Sequence, residues 1–177
     1  MIKSYIEKAA ENQLLFAVYS SSDRPSSFEV GRLIEMDEEC LMMRTFAETG
    51  NADGFLVLWL EDIHRFETNS KYLKAMEKLI DLQAEQEMLL PGLTGSCIDD
   101  AFQYAKEAHK IITVCLIDRS SPLITGSVKQ LNDDTVALDV IDQYGEPDGE
   151  IVFYKDDCCL VSCMSAEENR LEKLYSN

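Results

Sequence analysis

The side chains with the most chemical reach in this chain are six cysteines and two histidines. Cys158, Cys159 and Cys163 lie close together, with Cys115 upstream. A structural zinc site wants paired ligands at roughly C-x₂₋₄-C spacing and a second pair elsewhere. Cys159 and Cys163 fit that spacing only loosely, on a segment that reads as a strand. There the two share a face and Cys158 points the other way. Cysteine is among the most buried residue types, so small core filler is the better reading. No C-x-x-C pair occurs, which suits a reducing, cytoplasmic setting. His64 neighbours Asp62, and His109 ends a helical segment, where positive charge suits the helix dipole. Neither has a nucleophile beside it in sequence. No nucleophile-elbow motif and no glycine-rich phosphate loop appears. The expectation is a protein that is not an enzyme, with no metal and no cofactor.

Carboxylates are the other concentration of chemistry. Short acidic loops hold Glu38, Glu39, Glu61 and Asp62, then Asp133, Asp134, Asp156 and Asp157. Hard cations take oxygen ligands, but these loops lack the alternating Asp/Asn/Gly spacing of a dedicated calcium loop. They read as a solvated rim and as candidate interaction loops. Across 177 residues, 33 acids face 16 Lys/Arg, a net charge of −17. Nucleic acid is a polyanion whose binding rests on Lys and Arg, so RNA is disfavoured. Anionic membrane surfaces are disfavoured by the same sign. The longest apolar run, Phe55 to Leu60, is far short of the roughly 20 residues of a membrane span. Near the N-terminus, Lys3, Glu7 and Lys8 leave no apolar stretch of signal-peptide length.

The elements that must position these residues come twice. Aligning residue i with residue i+95 pairs Asp23-Arg24 with Asp118-Arg119, Gly31 with Gly126, and Gly50 with Gly145. It also pairs Asp53-Gly54 with Asp148-Gly149, Asp62 with Asp157, and Glu77-Lys78-Leu79 with Glu172-Lys173-Leu174. The alignment runs without a gap from Phe16 to Ile80. The glycines are expected to serve the backbone, with Asp-Gly as a turn dipeptide. The repeated Asp-Arg reads as a loop salt bridge or an Asp-capped turn. Such a period means a tandem duplication.

Each copy opens with a helix, 2–12 and 98–109. Five strands follow, expected at 14–20, 28–36, 40–46, 55–60 and 63–67. In the second copy they are expected at 111–117, 123–131, 135–141, 150–154 and 159–163. Val136, Leu138 and Val140 alternate with Ala137 and Asp139, the period of a half-buried strand. A helix closes each copy. The first starts near Ser70 and extends toward Leu89. The second starts at Ser165, where Ser165-x-x-Glu168 is a capping box. The first repeat then covers residues 1–90 and the second 96–177, joined by the linker 91–95. The fold class is mainly β with flanking helices, α+β. Five short strands with bent second strands suit a small closed barrel, since closure removes exposed edges.

Gly31-x-Leu33-x-x-x-Asp37, with Leu41 and Met43 on the next strand, resembles the first signature of Sm-like proteins. Gly126, Val128, Asn132, Val136 and Leu138 occupy the same positions in the second copy. The resemblance covers roughly residues 2–68 and 98–163. It implies two tandem Sm-like (SH3-like) barrels, association through edge strands four and five as a homo-oligomer, and RNA contact through the loops after strands two and four. In both copies those loops are acidic, so the usual RNA activity is not expected. A hidden basic patch from Arg24, Arg32, Arg44 and Arg65 would be needed for it. The functional expectation is a non-catalytic cytoplasmic interaction or scaffold protein with a basic protein partner. The alternative is an RNA-binding Sm-like protein. Trp59 and Tyr154, equivalent residues on the fourth strands, read as core or interface aromatics.

Overall fold

A computed structural model describes residues 2–20, 24–83, 90, 92–117 and 121–175. Asp23, Pro91, Asp118 and Arg119, and the expected helical stretch 84–89, lie outside the described residues. The first half runs α1 (Ile2–Glu11), β1 (Phe16–Tyr19), β2 (Glu29–Met36), β3 (Cys40–Phe46), β4 (Ala52–Trp59), a 3-10 turn (Leu60–Asp62), β5 (Arg65–Thr68) and α2 (Lys71–Leu82). The second half runs α3 (Cys97–Glu107), β6 (Ile111–Leu116), β7 (Ile124–Leu131), β8 (Thr135–Ile141), β9 (Pro147–Tyr154), a 3-10 turn (Lys155–Asp157), β10 (Cys158–Cys163) and α4 (Ala166–Tyr175). Among the described residues no helix is long and apolar enough to cross a membrane.

Local chemistry explains the element boundaries. Ser70 Oγ accepts from the backbone N–H of Leu73 at 3.2 Å and so caps α2. At α4 the caps are reciprocal. Ser165 N–H donates to Glu168 Oε2 at 2.7 Å, and Glu168 N–H donates to Ser165 Oγ at 3.4 Å, which is the expected capping box. The fourth strands start earlier than expected, at Ala52 and Pro147. Asp53-Gly54 and Asp148-Gly149 are not turns but kinks inside strands, with φ of +75° at Gly54 and +94° at Gly149. The turn itself precedes them, closed by Gly50 N–H to Ala47 O at 2.8 Å. Gly31 and Gly126 serve close approach: a Cβ there would lie 2.2 Å from Arg44 O and 2.3 Å from Asp139 O.

The ten strands form one antiparallel sheet in the order β5-β1-β2-β3-β4-β10-β6-β7-β8-β9. This corrects the expectation of two separately closed barrels. β4 does not return to β5; it pairs with β10 of the other half, with Val57 opposite Val161 and Phe55 opposite Cys163. The sheet is therefore open, and its ends are β5 and β9. Within each half the pairings correspond. Phe16 faces Gly31 as Ile112 faces Gly126, and Val18 faces Phe66 as Val114 faces Val161. Bulges fall at Leu33/Glu35 and Val128/Gln130. These pairings set β1 against β6 at an offset of 96, and the left-handed residues Gln13 and His109 share that offset. The gapless offset of 95 thus needs a one-residue step before β2.

The core explains why the halves lie together. On one face of the sheet α1 buries Ile6 and Ala9 against Phe16, Val18, Leu41, Met43 and Leu58. α2 buries Leu73, Met76 and Ile80 against Leu15, Ala17, Tyr19 and Phe46. α3 serves both halves. Its Cys97, Ala101, Phe102 and Ala105 join Met42, Phe55 and Val57 of the first half to Ile112, Val114, Leu138 and Phe153 of the second. Phe102 is 0% exposed, and burying such a ring contributes about 1.5–3 kcal/mol.

Candidate functional site

The acidic rim takes shape from its turns. Asp37 Oδ1 accepts from Glu39 N–H at 2.8 Å and from Cys40 N–H at 2.6 Å, which folds the chain back from β2 into β3. Its other oxygen, Oδ2, accepts from Cys97 N–H at 2.9 Å, the first residue of α3. Burial pushes the Asp37 carboxyl upward, but the donors from Cys97, Cys40 and Glu39 outweigh it and hold the group below its ordinary value. At the equivalent position, Asn132 donates to Thr135 Oγ1 at 3.1 Å.

The fold then gathers loops from both halves. Glu38, Glu39, Asp133, Asp134 and Asp156 line one groove of about 420 Å³, together with Asp37, Asp99, Trp59 and Lys155. Glu61 lines a neighbouring groove of about 440 Å³ with Glu38, Glu39 and Lys3. Asp62 and Asp157 line neither groove; the carbonyl of Asp157 accepts from Ile117 N–H at 2.7 Å. Sequence reasoning missed Lys155. Its side chain is buried, and Nζ donates to Asp99 Oδ1 at 2.6 Å and to Asp133 O at 2.8 Å. Lys3 pairs with Glu38 at 3.0 Å. Among the described residues, no three His, Cys, Asp or Glu side chains come together as a metal-ligand set.

A second carboxylate pair sits behind the rim. Glu35 Oε1 accepts from Gly95 N–H at 3.0 Å, and Asp100 accepts from Thr94 N–H at 2.7 Å and from Thr94 Oγ1 at 2.8 Å. Burial, a hydrogen bond to Asp100 and the repulsion of Asp100 and Asp37 push Glu35 up to about 6, against the Gly95 donor.

The sulfur candidates lie in the core, and the imidazoles lie after α3 and beside Tyr19. All six cysteines are buried and none is in a disulfide. Cys159 Sγ donates to Cys115 O at 3.3 Å and Cys163 Sγ to Ile111 O at 3.4 Å. Burial pushes Cys97 and Cys158 up to about 12, and Cys40 and Cys163 higher still. Thiols held so high are poor nucleophiles at neutral pH. His109 follows α3 in the left-handed region (φ 52°), and His64 lies edge-on to Tyr19. A concavity of about 900 Å³ lies along the junction of the halves over Leu56, Thr113, Thr125 and Ser162. Of the six carboxylates that line it, Glu29, Asp53, Asp142, Asp148, Glu167 and Glu168, two are engaged in capping helix α4, Asp53 and Glu168.

Of the four arginines Arg24, Arg32, Arg44 and Arg65, three lie over aromatic rings of one core cluster. Arg32 and Arg44 lie opposite each other across β2 and β3, both over the Phe46 ring at 5.8 and 5.4 Å. Arg65 lies over Tyr19 at 4.4 Å and pairs with Glu67. Arg24 lines the junction concavity instead.

The two ends of the sheet differ from its middle. Trp59 Nε1 donates to Cys158 O across the β4–β10 junction, and Val57 there is 2% exposed. Their counterparts on the free strand β9, Tyr154 and Val152, are each 63% exposed. In comparisons with known proteins, no family model and no curated protein matches this chain.

Proposed function

We propose that the chain is a non-catalytic scaffold: a tandem duplication of one Sm-like (SH3-like) five-stranded unit that assembles with copies of itself through its two sheet ends. The observation that carries this reading is the asymmetry of equivalent edges. β4 is covered by β10, whereas β9, its counterpart, ends the sheet with Val152 and Tyr154 exposed. β5, the counterpart of β10, ends the other side. An unpaired strand edge with exposed apolar side chains is a template for another strand. Repeating the internal junction gives a head-to-tail assembly, a ring if the rotation closes and a filament if it does not. The acidic rim then recurs once per chain, and a protein with a basic surface is the partner its charge suits. Six thiols without a disulfide support a reducing compartment, the cytoplasm being the simplest.

RNA binding is the second reading. It draws on the facing pair Arg32 and Arg44 and is opposed by the acids of the rim.

The internal register transposes directly. Val161 opposite Val57 and Cys163 opposite Phe55 become Phe66 opposite Val152 and Thr68 opposite Glu150 between chains. Chains carrying Thr68→Cys are mixed with chains carrying Glu150→Cys under mild oxidation. Rapid covalent dimers are expected, with slower linkage for Thr68→Cys mixed with Tyr154→Cys. Sedimentation of the unmodified chain should show association that strengthens with salt, because net charges of −17 repel at low ionic strength. A chain that sediments as a monomer at all concentrations overturns the reading.

A further inference from the structure

The geometry points to the Asp148-Gly149 step of β9 as a docking element for the start of helix α2 of a second copy, with the Asp148 carboxylate accepting the backbone N–H of Lys71. This inference rests on the head-to-tail reading and names the contact that orients it.

The internal junction supplies the template. Asp53, just before the Gly54 kink, reaches across the halves, and its Oδ1 accepts from the backbone N–H of Ala166 at 2.7 Å. Ala166 is the first residue of α4. This bond satisfies one of the N–H groups that a helix start leaves without an intrahelical partner. It is independent of Ser165, whose hydroxyl accepts from Glu168 N–H. Gly54 makes the approach possible. A Cβ there would lie 2.1 Å from Cys163 O, 2.5 Å from Met164 C and 2.6 Å from Ser165 N. The segment 163–166 therefore presses directly onto the Asp53-Gly54 step.

β9 repeats the step without its occupant. Gly149 has φ +94° against +75° at Gly54, so the kink is the same. Yet nothing lies within 4 Å of where its Cβ would be. Positive φ explains a glycine at both positions; only at Gly54 does the neighbouring chain also require one. Asp148, at the position of Asp53, is exposed.

The incoming segment exists at the other end of the sheet and has the matching shape. β5 leads through Asn69, φ 59°, into Ser70 and α2, as β10 leads through Met164, φ 65°, into Ser165 and α4. Ser70 and Ser165 are both hydroxyl caps, accepting from Leu73 and Glu168. Thr68-Asn69-Ser70-Lys71 is thus laid out like Cys163-Met164-Ser165-Ala166, at the edge where β9 of another chain would arrive. Within one chain this segment lies at the opposite end of the strand order from β9 and is not paired with it, so the occupant is a second copy.

The test is the association constant of the full chain by sedimentation, for Asp148→Ala, Asp148→Asn and Gly149→Val. Asp148 is exposed, so its variants are expected to melt with the wild-type chain when dilute. Asp148→Ala should weaken association about five-fold, the scale of one lost cap. Asp148→Asn, whose amide oxygen also caps, should recover most of it. Gly149→Val places bulk where Thr68-Asn69-Ser70 must sit and should abolish association. If the wild-type chain associates and both Asp148→Ala and Gly149→Val do so equally well, this docking element is wrong while head-to-tail assembly stands. If Asp148→Ala and Asp148→Asn weaken association alike, Asp148 acts by charge and the capping contact is overturned.

Discussion

Asp37 and Cys97 are 60 positions apart, and the carboxylate of one accepts the backbone N–H of the other at 2.9 Å. A turn of the first half thereby caps the helix that forms the core of the second. Asp37→Ala removes the acceptor of three backbone N–H groups, from Glu39, Cys40 and Cys97. It should cost about 1–3 kcal/mol in chemical denaturation. Asp37→Asn should recover part of this, and Glu38→Gln, whose carboxylate is exposed, should fall within about 0.5 kcal/mol of wild type.

Asp37 of this turn and Glu35 behind it should titrate with opposite signs. Asp37 is held below its ordinary 3.8, so its contribution is present above that value and is lost as pH falls through the lower folded value. Glu35 is pushed from 4.5 up to about 6. Its contribution is fully present below pH 4.5 and is lost as pH rises through about 6. Glu35→Gln cannot titrate. Its stability relative to wild type should therefore rise between about pH 4.5 and 7 and then level. A difference that stays flat across that window would refute the assignment.

The two kinked strands should respond unequally to a methyl group. Gly54→Ala meets both positive φ and the Cys163 carbonyl, whereas Gly149→Ala meets positive φ alone. Strain of this kind costs about 1–3 kcal/mol. Thermal melts at concentrations too low for association should show the larger loss at Gly54.

Titration with a mixed single-stranded RNA pool at about 0.15 M salt should show no dissociation constant below roughly 1 μM. The seven acids that line the groove with Lys155 repel phosphate, and Lys155 is committed to Asp99 and Asp133. Binding tighter than that, weakening with salt, would favour Arg32 and Arg44 as phosphate contacts.

Much of this chain was legible without its tertiary structure, because much of it is local. Strand and helix positions follow from alternation and caps within a few residues, as at Ser165 and Glu168. The kinks at Gly54 and Gly149 announced themselves as repeated Asp-Gly pairs, although their reading as turns was wrong: a φ above zero serves a strand kink as well as a hairpin. Buried thiols followed from the general tendency of cysteine to lie in the core. What only the tertiary structure decided is which edge meets which. Every strand presents the same backbone N–H and C=O groups, so no side-chain pattern distinguishes β4 closing on β5 from β4 pairing with β10. Burial of α3 against both halves selects the second arrangement. The contacts that follow join residues far apart in the chain: Asp37 with Cys97, Asp53 with Ala166, Lys155 with Asp99. Each is a polar group finding a partner only after apolar packing has brought two distant segments together. That packing also leaves β5 and β9, and not β4, as the open ends.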